Sequence, residues 1–295
     1  MLSLLAAAAL IAASPAQDQT PQSTAVDDVV VEARPLDRQI RSFLSDIAVP
    51  DRSLNVARWH EKVCVGVVNM RGQSAQYVAD RISLVADDLG LQPGEPGCSA
   101  NILVIASTNG AEMARGLVDA RPLAFNPGGD GMVRGRSALR KFTDSDAAIR
   151  WWHVAVPIDS NSGRIATRMP GEDAPQISAP SSRLRTEIRN DLSRVIIILD
   201  FDKLGGLNLQ QVADYAAMVA FSQVDADADF SGYDSILALT EDRTVQGLTD
   251  WDMAYLKALY SAELNQAQRV RQQGEIARLM EMRHVRPAAT EPASR

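Results

Sequence analysis

The chain has 295 residues and a formal charge of −7, a length that supports one good hydrophobic core or two small ones. The acidic balance and the lack of a basic stripe exclude nucleic acid as a partner, because phosphate binding needs a positive surface that releases counterions. No stretch reaches the roughly 20 apolar residues that span a bilayer, so membrane contact is expected only through the N-terminal segment, if that stays uncleaved.

In chain order, Leu4 to Ala13 is an unbroken apolar run that breaks at Ser14-Pro15-Ala16. This is the pattern of a secretory h-region followed by a small-residue cleavage site, although Met1-Leu2-Ser3 lacks the usual Lys or Arg. Residues 1–16 are therefore expected to be a signal peptide, and the mature protein periplasmic or extracellular. Residues 17–35, rich in Gln, Ser, Thr, Asp and Pro, should form a flexible spacer ending in a short extended piece, Asp28 to Arg34. Residues 36–56 form a helix and a link: Ile40, Phe43, Leu44 and Ile47 recur at helical spacing, and the helix ends before Pro50.

The main domain is assigned to residues 57–262. Val63 to Val68 reads as a strand, and Ala75 to Leu89 as a helix with Val78, Ile82, Val85 and Leu89 on one face, closed by Gly90. Asn101 to Ala106 reads as a second strand and Gly110 to Ala120 as a short helix, an order that suggests a parallel crossover. Glycines and prolines between Pro122 and Leu139 mark a loop or irregular insertion. Ile149 to Ile158 and Arg194 to Phe201 read as strands, the second carrying the run Val195-Ile196-Ile197-Ile198-Leu199 of a strand buried on both faces. Asp159 to Pro180 should be a surface excursion. A helix is expected from Leu209 to Val224, a turn around Ser235-Ile236-Leu237, and a long helix that opens at Thr249 and runs to about Met282 with a break near Gly274. Residues 263–295 are read as a helical extension and a frayed tail. The expected fold class is α/β (α+β), with a mixed, mostly parallel twisted sheet, flanking helices and a long C-terminal helix.

Cys64 and Cys98 suit an oxidising compartment. Paired, they would stabilise the fold by roughly 3–4 kcal/mol in the chain-entropy model; two small buried thiols are the other reading.

Residues 194–260 resemble, in order and spacing, the second half of the metzincin zinc-protease fold, closest to its matrixin type. The parts are the buried strand Val195 to Leu199, the link Lys203-Leu204-Gly205-Gly206-Leu207-Asn208, the helix from Leu209 to Met218, the turn Asp234 to Leu237 and the closing helix through Tyr260. The resemblance implies a zincin-like fold with a helix bearing H-E-x-x-H-x-x-G-x-x-H. Laid on this chain, that motif puts Asp214 and Met218 at the first two histidines, Tyr215 at the glutamate base, Phe221 at the glycine and Val224 at the third histidine. A catalytic zinc needs about three N, O or S donors and an open position. One carboxylate and a thioether do not supply them. His60, His153 and His284 lie on separate elements and read as surface or edge residues. A tyrosine, which titrates near pH ~10, is a poor base. No cofactor is assigned.

Three functional readings follow. The first is a non-catalytic metzincin-like domain that binds an unknown protein, peptide or envelope component. On a helical wheel Asp214, Met218 and Phe221 share the face opposite Val212, Ala216 and Val219, which makes them either plain core or an apolar groove. The second is a hydrolase in which Asp214 acts with Asp200 or Asp202, or an atypical metal site; no catalytic residue is assigned, and Asp214 and Tyr215 are the candidates on the motif helix. The third is an envelope protein that docks through its C-terminal helix. Asp225, Asp227 and Asp229 alternate as in a calcium loop, but Phe230 and Ile236 stand where Gly and Glu are needed. Trp151 and Trp152, adjacent on a strand, must point to opposite faces.

Overall fold

The computed structural model describes residues 36–47, 55–60, 62–175, 186–263, 266 and 268–285. The signal peptide and spacer expected over residues 1–35 lie outside them, as do the tail beyond 285 and the end of the excursion after 175.

The fold is α/β. Three strands run parallel and the fourth runs against them: β1 (Val65–Val68), β2 (Ile102–Ser107), β3 (Ile149–Asp159) and β4 (Ile188–Asp200) lie in the order β1-β2-β4-β3. Among the strands β3 pairs with β4, antiparallel, and so forms one margin of the sheet, with a single bridge from Ile158 to Ile165 at its far end. The helix α2 (Gly72–Asp88) links β1 to β2. It ends in a Schellman motif around Gly90, whose φ is +78°: Gly90 N–H donates to Asp87 O and Leu91 N–H to Ala86 O. The disulfide Cys64–Cys98 forms, tying the entry of β1 to the approach to β2.

β4 shows why its aliphatic run does not alternate with polar residues. Val195, Ile197 and Leu199 face one cluster while Ile196 and Ile198 face another, so the strand is buried on both sides. The smaller cluster lies under α3 (Gly110–Ala120), α4 (Pro122–Phe125) and α5 (Gly135–Asp144), with Phe125, Phe142 and Trp152 at its centre. The larger contains α1 (Leu36–Ile47), α2, α6 (Leu209–Phe221), a 3-10 turn at Ile236–Thr240, α7 (Asp250–Ser261) and α8 (Arg269–Val285). Phe43 of α1 anchors it with edge contacts to Tyr233, Tyr255 and Trp251 at 5.1, 5.3 and 5.5 Å.

The structure corrects three element assignments. The supposed insertion after Pro122 holds α4 and the start of α5, since Pro at the first helical position begins a helix as readily as it breaks one. β4 begins at Ile188, well before the aliphatic run, because pairing with β3 carries its polar half. Thr249 caps α7, in a capping box with Asp252, but that helix stops at Ser261; Gly274, the expected break, lies inside α8.

Candidate functional site

α6 is the hub of the larger cluster, and every residue from Gln211 to Phe221 is buried. Asn208 opens it with a capping box to Gln211. The last four carbonyls of a helix have no partner within it. Here four side chains from different places supply one each: Ser222 Oγ donates to Met218 O (2.7 Å), His153 Nε2 to Val219 O (2.8 Å), Trp59 Nε1 to Ala220 O (2.8 Å) and Tyr260 Oη to Phe221 O (3.1 Å). His153 sits on the edge strand, but its ring is not at the surface: it is a buried neutral donor. A helix C-terminus favours a cation by up to about 2 kcal/mol, yet desolvation outweighs this and the bond to Val219, and holds the His153 pKa down to about 4.

The supposed groove of Asp214, Met218 and Phe221 is closed. Each is 0% exposed and none borders a described cavity. Asp214 forms an ion pair with Arg81 of α2, with Arg81 Nη2 at 3.2 Å from Oδ2, and accepts from Leu248 N–H at 3.0 Å. Gly247 makes this possible, since a side chain there would collide with Asp214 Oδ2. Asp200 accepts from Gly110 N–H at the start of α3 (2.9 Å), and Asp202 is exposed. Asp214 and Asp200 therefore have separate partners, and none of the three carboxylates lines a described cavity.

The histidine and glutamate positions of the zinc motif hold an ion-paired carboxylate, a buried thioether, a phenol and a valine, which do not fit a catalytic zinc. Among the described residues no three His, Cys, Asp or Glu side chains lie close enough to hold a metal ion. In the acidic loop, Asp225 pairs with Arg134 (2.9 Å), Asp227 with Lys141 (2.6 Å), and Asp229 accepts from Ser231 N–H.

Beside α6 lies a cavity of about 430 Å³. Leu204, Leu207, Tyr215, Val224, Phe230, Leu237 and Leu239 provide apolar wall, and the Arg134–Asp225 and Lys141–Asp227 pairs lie on its border. β3 contributes Ile149 to His153 in unbroken succession, with Ala147 and Ala148 just ahead of the strand. Side chains on a strand alternate between faces, so a cavity that touches five consecutive strand residues runs along the strand's edge rather than over one face.

The backbone pattern agrees. Ala155 N–H donates to Met132 O, Pro157 O accepts from Ala166 N–H, and Asp159 N–H donates to Arg164 O, all away from β4, so the odd-numbered residues of β3 turn their peptide groups outward. On the far side, Val195 N–H, opposite His153, points to Asn101 O, away from β3. The N–H and C=O groups of Trp151 and His153 consequently face outward along the cavity, with no hydrogen-bond partner among the described residues. Trp151 and Trp152 do point to opposite faces, their indoles donating to Val224 O and Phe125 O. Of the motif positions on and after α6, Tyr215 and Val224 border the cavity, Tyr215 with its ring 6.0 Å from that of Trp151.

The site escaped sequence reasoning because its walls come from β3, the link after β4, the loop at 224–230 and the segment at 237–243; the adjacent tryptophans were its one local signal. Among the described residues no helix is long and apolar enough to cross a membrane. No protein-family model, curated protein or solved structure matches this chain.

Proposed function

We propose that this chain is an exported, non-catalytic binding domain on a metzincin-like scaffold, and that it holds an extended polypeptide segment against the outer edge of β3. The observation that carries the reading is the run of cavity-lining residues Ala147 to His153 with outward, unbonded peptide groups at Trp151 and His153. Adding a strand to a free sheet edge gains main-chain hydrogen bonds, and a neighbouring cavity accepts alternate side chains. The apolar wall suits an aliphatic or aromatic side chain.

The order of buried strand, glycine-containing link, helix, turn and closing helix supports the scaffold assignment. The chemistry at the motif positions supports a binding rather than a cutting role: Asp214 is held by Arg81, and Tyr215 offers a proton donor where a water-activating base would be required. The apolar N-terminal run and the disulfide support export.

The test uses the purified chain and a panel of acetylated, amidated pentapeptides with Phe, Leu, Met or Ala at the centre. At least one should bind saturably, follow Trp fluorescence, and lose binding when backbone N-methyl groups block the face that pairs with β3. Zinc at one atom per molecule with chelator-sensitive cleavage, or no binding across the panel, overturns the proposal.

A further inference from the structure

We infer that Tyr215 selects the ligand of this cavity by donating its hydroxyl to a backbone carbonyl of the bound segment. This rests on the strand-addition reading and deepens it. Tyr215 is only 4% exposed, yet its hydroxyl has no hydrogen-bond partner among the described residues. Nor is it one of the fully enclosed unpartnered atoms, which are Arg150 Nε, Asn190 Oδ1, Asp200 Oδ1, Trp251 Nε1 and His284 Nε2. An oxygen that is neither bonded nor sealed, on a residue that borders the cavity, opens into that cavity.

The surroundings decide what it can bind. Leu204, Leu207 and Leu239 line the same space, and a hydroxyl among such walls is costly unless an acceptor reaches it. Burial also pushes the phenol above its ordinary titration range, so it stays a donor at neutral pH. Glu241 borders the same cavity and its charge adds to this shift, but its carboxylate accepts from Thr240 and makes no hydrogen bond to the phenol, which leaves the acceptor to be supplied by what enters the cavity. Trp151 places this donor at the edge just described, for its ring packs on Tyr215 while its own peptide group faces outward. A segment paired with β3 presents carbonyls on both sides of its backbone, in and out of the pairing plane's two edges, and one that cannot bond to β3 is free to accept from Tyr215.

The experiment pairs Tyr215→Phe, which keeps the ring and removes the O–H, with the best pentapeptide of the panel and versions in which each backbone carbonyl in turn becomes a methylene. Tyr215→Phe should melt as the native protein does and bind the parent peptide about five- to tenfold more weakly, as for one neutral hydrogen bond. For one carbonyl-deleted peptide the two chains should bind alike. Binding of the parent within twofold by both chains overturns the inference and leaves strand addition standing. An equal loss for every peptide, including all the carbonyl-deleted ones, assigns Tyr215 to packing and also overturns it. If Tyr215→Phe does not fold, the carbonyl scan on the native chain decides: one position must cost more than its neighbours, and a uniform scan refutes the inference. Failure of every peptide on the native chain refutes the strand-addition reading itself.

Discussion

Two buried titrating groups set up opposite responses to acid. His153 is held down to about 4 from the ordinary 6.5, chiefly by desolvation. The unfolded chain then takes up a proton there before the folded one does, so this contribution is complete above pH 6.5 and is lost as pH falls through 4. Asp252 is the reverse case. It accepts from Ser235 Oγ, Ile236 N–H and Thr249, but burial outweighs these bonds and raises it from 3.8 to about 6. Its contribution is complete below 3.8 and is lost as pH rises through 6. Each shift of about two units is worth about 3 kcal/mol, so the two slopes nearly cancel between pH 6.5 and 4. The native chain should show a urea midpoint almost flat over that interval. Asp252→Asn should unmask a fall of about 3 kcal/mol toward pH 4, and His153→Gln, which retains a donor for Val219 O, a rise of similar size. Denaturant titrations followed by circular dichroism at half-unit steps would measure this. Parallel pH profiles for the native chain and both variants would refute the argument, whatever the absolute stabilities.

Removing the guanidinium that holds Asp214 should be expensive: Arg81→Met leaves a fully buried carboxylate unpaired and should cost about 3 kcal/mol in urea unfolding. Arg81→Met with Asp214→Leu should recover most of it, and a neutral single variant would refute the reading of that pair as structural. Truncation after Ala262 removes Ile276, Ala277 and Met280 from the core and should cost about 5 kcal/mol, abolishing cooperative unfolding. A truncated chain that folds normally but changes its oligomeric state would instead make α8 a docking element.

Local signals carried much of the fold. The valines of β1 and the Val78/Ile82/Val85 stripe of α2 specify their elements within a few residues, the aliphatic run marks the second half of β4, and the Thr249 cap marks where α7 begins. What failed depended on partners distant in sequence. The wheel of α6 separates a sheet side from a free side, but α2 and α7 cover the latter, and nothing near Asp214 announces an arginine 133 positions earlier. His153 reads as an edge residue because β3 is indeed marginal; that its ring reaches under the sheet to the end of α6 follows from tertiary packing alone. The candidate cavity was illegible for the same reason, while Tyr215 was selected for a motif position and found bordering the cavity.

The two ends of the described chain are fastened to each other. Gln272 of α8 accepts from Val56 N–H (2.8 Å) and donates back to Val56 O (3.4 Å), imitating a ladder rung with one amide, and Gln273 donates to Leu44 O of α1. An interior that α8 closes in this way stays unfinished until that helix has been made, so the segments it ties down cannot lock into place before it exists.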